Sequence, residues 1–151
     1  MTHLKTLIGA ALLLSAPAMA EDLAPCAAGS AIDLAVTIDS SGQPQFGYSQ
    51  FGQSCSGDVE VSEAGTITYR LINLEQAPQG LRFVGAGFAN PFNGVVDKVE
   101  VSSDGKTLQL YDSNQVAGPG KFQFIFSSSE NGLLLLSPDP EVINEHNTTF
   151  N

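Results

Sequence analysis

Thr66-Ile67-Thr68-Tyr69-Arg70-Leu71-Ile72 decides the fold of this chain. Ile67, Tyr69 and Leu71 fall on one side of an extended segment, and Thr66, Thr68 and Arg70 on the other. That is the period of a half-buried strand, not of a helix. The alternation spreads in both directions. Upstream, Ile32, Leu34, Val36 and Ile38 interleave with Asp33, Ala35 and Thr37. Phe46 and Tyr48 share a face, as do Val59 and Val61. Downstream come Leu81 and Phe83, the run Val95–Val101, Leu108 with Leu110, and a stripe of Phe122, Phe124 and Phe126 opposite Gln123 and Ser127. Leu133–Leu136 is apolar throughout, which suits a central strand.

Turn residues separate these runs. Ser40-Ser41-Gly42 and Glu130-Asn131-Gly132 are turns, Gly85-Ala86-Gly87 loosens the chain into a loop, and Ala117–Gly120 breaks it. Asp104-Gly105 is the usual type I′ hairpin pair. About eight or nine short strands with no helical period predict an all-β protein. The expected architecture is an antiparallel β-sandwich, immunoglobulin-like, with a jelly roll as the alternative.

The front of the chain is different. Lys5 charges a short start, Thr6–Ser15 is apolar, and Ala18-Met19-Ala20 precedes acidic Glu21-Asp22. This is the form of a secretory signal peptide cleaved after Ala20, and the apolar run is too short for a retained membrane helix. The chain divides into a leader (1–20), an N-terminal lead (21–31), a sandwich domain (32–144) and a polar tail (145–151). A bacterial exported protein, periplasmic or extracellular, is expected.

All sixteen Asp and Glu follow residue 20, whereas one of the six Lys and Arg, Lys5, precedes it; the mature chain therefore sets sixteen against five, a net of −11. Nucleic acid and anionic membrane surfaces are poor partners for such a charge. Cys26 and Cys55 are the only cysteines. In an exported chain they read as one disulfide, worth on the order of 3–4 kcal/mol for a loop of this size.

The inventory of chemistry is thin. With both Met residues in the leader, no Trp, and His146 as the one mature His, a blue-copper centre or a multi-His zinc site cannot be built. No Gly-x-Ser-x-Gly elbow is present, and His146 reads as a tail residue. Asn147-Thr148-Thr149 would be a glycosylation acceptor only in eukaryotic export. Asp104 and the Asp112-Ser113-Asn114 segment read as turn chemistry rather than metal ligation. No catalytic residue, metal or cofactor is expected. The most suggestive surface element is Gly85–Gly94, in which Phe88, Asn90 and Phe92 form a candidate recognition loop; the competing expectation tucks both Phe rings into the end of the sandwich.

Thr68–Asn73, the Asp104-Gly105 hairpin with Leu108–Asp112, Phe122–Phe126, and the closing Leu136-Ser137-Pro138-Asp139-Pro140-Glu141-Val142-Ile143-Asn144 together resemble the DP-EP family. That is a group of small bacterial all-β proteins of unknown function. The resemblance covers Ile32–Asn144. It implies an immunoglobulin-like sandwich and carries over no catalytic residue. Within the closing segment, Pro138 and Pro140 stiffen Asp139. Asp139, with Asn144, is expected to act as a structural lock, the carboxylate accepting backbone hydrogens at the end of the last strand.

The sequence thus predicts a non-enzymatic exported binding or assembly module for an unidentified protein or small ligand. The alternatives are a fimbrial-type structural subunit, favoured by the N-terminal disulfide and by Phe150, and a polysaccharide-acting enzyme.

Overall fold

A computed structural model describes residues 22–145; the leader, His146, the Asn147 acceptor and Phe150 lie outside the described residues. The described chain is all-β. Eleven strands run in order: β1 (Ile32–Ile38), β2 (Pro44–Gln50), β3 (Gln53–Cys55), β4 (Val59–Val61), β5 (Gly65–Ile72), β6 (Arg82–Phe88), β7 (Lys98–Val101), β8 (Thr107–Asp112), β9 (Gly118–Ser127), β10 (Leu134–Leu136) and β11 (Glu141–Asn144).

They form two facing sheets. The first has the order β3-β2-β1-β5-β8-β7. The second is organised around β9. Phe126 of β9 pairs with Phe83 of β6 and with Leu135 of β10, so those two strands lie on opposite edges of it. β11 pairs with Gly118–Lys121 of the same strand, and β4 lies beyond β11.

The alternation seen in the sequence is the reason the sheets face one another. Ile32, Leu34 and Val36 point inward from β1, Ile67, Tyr69 and Leu71 from β5, and Leu108 and Leu110 from β8. The three Phe of β9 meet them from the other side. Tyr69 sits edge-on to Phe124 with ring centroids 4.7 Å apart, and Phe83 stacks on Phe126 at 5.1 Å. Such pairs favour the fold beyond the area they bury. The Tyr69 hydroxyl donates to Gly57 O at 2.8 Å, which satisfies the one polar atom this ring takes into the core. Gly57 is required there: at φ +94, a Cβ would lie 2.8 Å from the Tyr48 ring.

Several expectations are corrected. The strand count is eleven because β3 and β11 are too short to show a period. Two pairings are parallel, β1 with β5 and β4 with β11, so both sheets are mixed. Gly85-Ala86-Gly87 stays within β6, paired to β9, with the register shift between Phe83 and Gly85. Gly118–Gly120 likewise belongs to β9, paired to β11. The Asp104-Gly105 turn is not type I′, which needs positive φ at both central residues: Gly105 has φ +71 and Asp104 is not among the positive-φ residues. The turn closes instead by Gly105 N donating to Ser102 O at 2.9 Å. A two-residue hairpin with both central residues at positive φ joins β2 to β3, at Phe51 (φ 51) and Gly52 (φ 76).

The Cys26–Cys55 disulfide is present and ties the lead to β3. Cys26 N donates to Asp58 O at 2.8 Å, and the Gln50 side chain clamps the lead through Ala27 N and the Ala27 and Ser30 carbonyls. No helix among the described residues is long and apolar enough to cross a membrane.

Candidate functional site

The residues marked from sequence do not meet in one place. Phe88 ends β6 and, half-buried, stacks on Phe122 with ring centroids 5.3 Å apart, packing against the edge of the core. Phe92 is 94% exposed on a turn in which its N donates to Asn90 Oδ1 at 3.3 Å. The candidate recognition loop therefore splits, one ring inside and one out.

Asp139 is corrected more sharply. It stands exposed, and its carboxylate accepts no hydrogen bond among the described residues. Pro138 and Pro140 offer no N–H. Asp139 instead lines a shallow cleft of about 550 Å³ with Gly87, Lys121, Gln123, Ile125 and Leu136. The fastening expected of it is done by its neighbours. Phe124 N donates to the buried Ser137 Oγ at 2.8 Å, and Glu141 N donates to Asp58 Oδ1 at 2.8 Å.

Asn144 lies at the other end of the segment and is 3% exposed. Its Nδ2 donates to Asp112 Oδ1 at 3.0 Å, Val116 O at 3.0 Å and Val95 O at 3.2 Å. Three acceptors around one nitrogen fix the amide's orientation, since the reverse would set oxygen against oxygen. Asn144 Oδ1 is left without a donor among the described residues.

This amide leads to the most unusual group in the molecule. Asp112 ends β8 and is 4% exposed. Oδ1 accepts from Asn114 N at 2.7 Å and from Asn144, while Oδ2 is buried with no partner among the described residues. Burial holds its carboxyl above the usual 3.8, against the pull of the Asn114 and Asn144 donors and with a small push from Asp97. Asp112 also lines a cavity of about 290 Å³ at this end of the sandwich. The Ser62–Ala64 loop, the start of β5 and Ala28-Gly29 of the lead complete its wall, with Val61 and Ile67 as its apolar lining. Natural structures rarely bury a carboxylate oxygen unpaired unless the site uses it.

A second feature lies on the outer face of the other sheet. Among the described residues β10 pairs with β9 only, so Leu134–Leu136 is an edge there and not the central strand expected from its apolarity. Leu133 is 70% exposed, Leu134 62% and Leu136 51%. Leu136 pairs with Ile125, and Ile125 pairs in turn with Gly85, which has no side chain to cover it. The result is an uncovered apolar strip.

Sequence reasoning read Asp112 as turn chemistry, which its bond from Asn114 N supports, but missed that it ends β8 buried, and it passed over Phe51. For Asp112 a signal existed, because it continues the inward phase of Leu108 and Leu110 and a carboxylate there must be buried. For Phe51 there was none: at φ 51 and 84% exposed, it occupies a turn position that normally selects Asn, Asp or Gly.

Among the described residues, no three His, Cys, Asp or Glu cluster to hold a metal. No curated protein matches the chain. The family model described as the DP-EP family matches residues 30–146, well over half of the sequence, and the chain belongs to that family.

Proposed function

We propose that this protein is an exported, non-enzymatic assembly module that takes up an extended segment of a partner protein along the open edge of β10. The observation that carries this is the uncovered leucine edge: among the described residues Leu134–Leu136 pairs on one side only and presents Leu134 and Leu136 to solvent. Natural sheets protect such edges with Lys, inward charges, bulges or covering loops. Asn131–Ser137 contains no charge at all. An added strand would supply main-chain hydrogen bonds, and the Leu134, Leu136 and Ile125 strip would receive its alternate side chains.

Charge identifies the occupant. Glu130 and Asp139 bracket the neutral edge, and neither is in an ion pair among the described residues. A second copy of this chain would bring the same carboxylates together. A partner segment with an apolar centre and Lys or Arg at its ends meets opposite charge at both flanks. Export is supported by the disulfide, a bond of oxidising compartments, and by the leader sequence.

The test uses the oxidised mature protein and a labelled synthetic peptide of alternating Val and Thr with paired Lys at each end. Saturable binding by anisotropy is expected, weakened with Glu in place of Lys and lost in Leu134→Asp and Leu136→Asp, whose melting temperatures should match the wild type. Equal binding of the two peptides, no binding, or concentration-dependent self-association abolished by the same variants would overturn the proposal. The last result would instead support the fimbrial-type reading.

A further inference from the structure

We infer that the cavity beneath Asp112 is a binding site for a primary ammonium group on a short alkyl chain. The site lies away from the β10 edge and does not depend on how that edge is used.

The cluster around Asp112 is short of donors. Asp112 Oδ2, Asn144 Oδ1 and Asn114 Oδ1 are all buried without a partner among the described residues; Asp112 Oδ1 accepts from the Asn144 side-chain amide and from the Asn114 main-chain N–H, and of the three residues Asp112 is the one that lines the cavity. Among the described residues no Lys, Arg or His lines the cavity, whereas Glu63 stands at it as a second carboxylate. A ligand that answers this environment brings positive charge and N–H donors. A primary ammonium brings both, with three donors on one atom.

The rest of the wall selects the kind of cation. Val61, Ile67, Ala28 and Ala64 offer aliphatic surface for an alkyl stem. Among the described residues no aromatic ring lines the cavity, so they form no cage of the kind that recognises quaternary ammonium groups. A divalent ion normally gathers six or more oxygens, and among the described residues the cavity offers two carboxylates, Asp112 and Glu63, with no third His, Cys, Asp or Glu placed to join them. At about 290 Å³, the cavity suits a small head group with a short chain and not a folded peptide.

Butylammonium chloride, tetramethylammonium chloride, sodium chloride and calcium chloride, each titrated calorimetrically into the oxidised protein, test the inference. Saturable binding of butylammonium alone is expected. Asp112→Asn keeps the shape and the Oδ1 contacts but removes the charge, and should weaken binding by about tenfold or more. Ala64→Leu, a change at an exposed residue on the cavity wall, should weaken it by narrowing the site, and decides the matter should Asp112→Asn fail to fold. The inference is overturned by equal binding of tetramethylammonium, by stoichiometric calcium binding, by a response that sodium chloride reproduces, or by no heat from butylammonium at millimolar concentration.

Discussion

Asn144 Nδ2 donates to Asp112 Oδ1 at 3.0 Å, joining the last strand of one sheet to the end of a strand in the other. The same nitrogen reaches the Val95 and Val116 carbonyls, so one amide closes this end of the sandwich against three separate segments.

Replacing it tests that closure. Asn144→Ala leaves Asp112 Oδ1 with one donor and two carbonyls with none. The expected loss is about 1–3 kcal/mol, the cost of stranding buried acceptors. Urea unfolding should show a lower midpoint at unchanged slope. An unmoved midpoint would mean the closure carries no stability.

Asp112→Asn should behave in the opposite sense. The folded chain holds this carboxyl above the usual 3.8, chiefly by burial, so it binds the proton more tightly than the unfolded chain does. Ionised Asp112 therefore weakens the fold. The penalty is complete above the raised value, shrinks as pH falls through it, and is gone below 3.8. The variant should be at least as stable as the wild type at neutral pH, and the gap should close on acidification. Exposed Asp39, Asp104 and Glu100 are held low by the Ser41, Ser102 and Lys98 side chains respectively, and they lose their contribution over the acid range in both proteins. Only the difference between the two melting curves reports Asp112. A gap that widens toward acid would refute the assignment.

In the closing segment, Ser137 and Asp139 should separate cleanly. Ser137→Ala strands the Phe124 N–H inside the sheet and should reduce stability by about 1–3 kcal/mol. Asp139→Ala removes an exposed carboxylate and should stay within about 0.5 kcal/mol. Parallel denaturant melts check both. A large loss at Asp139 would return the lock to that residue.

The core was legible because its signal is local. Phe122, Phe124 and Phe126 could occupy one face only if the segment were extended, and the structure puts all three inside. Edges were not legible. Leu133–Leu136 carries the composition of a central strand, and whether a neighbour lies on its free side depends on residues far away in sequence. Turn type also escaped. Asp104-Gly105 fits a two-residue hairpin by composition, but Ser102 and Thr107 close a longer one, with Ser102 N donating to Thr107 O at 2.9 Å. At the candidate site, the phase of Asp112 could be read along β8, but its partner Asn144 could not, because that contact is made by two sheets meeting end to end.

The parallel pairing of β11 with β4 sets Val142 against Val59 and Asn144 against Val61. Val59 and Val142 thus meet although most of the domain's sequence lies between them. A polypeptide ended before Glu141 would leave β4 with only its bridge to Cys26 and would leave Asp112 without the Asn144 amide. Contacts this distant in sequence also form slowly. The arrangement acts as a late seal: β4 gains its neighbouring strand only once Glu141–Asn144 has been made and has docked.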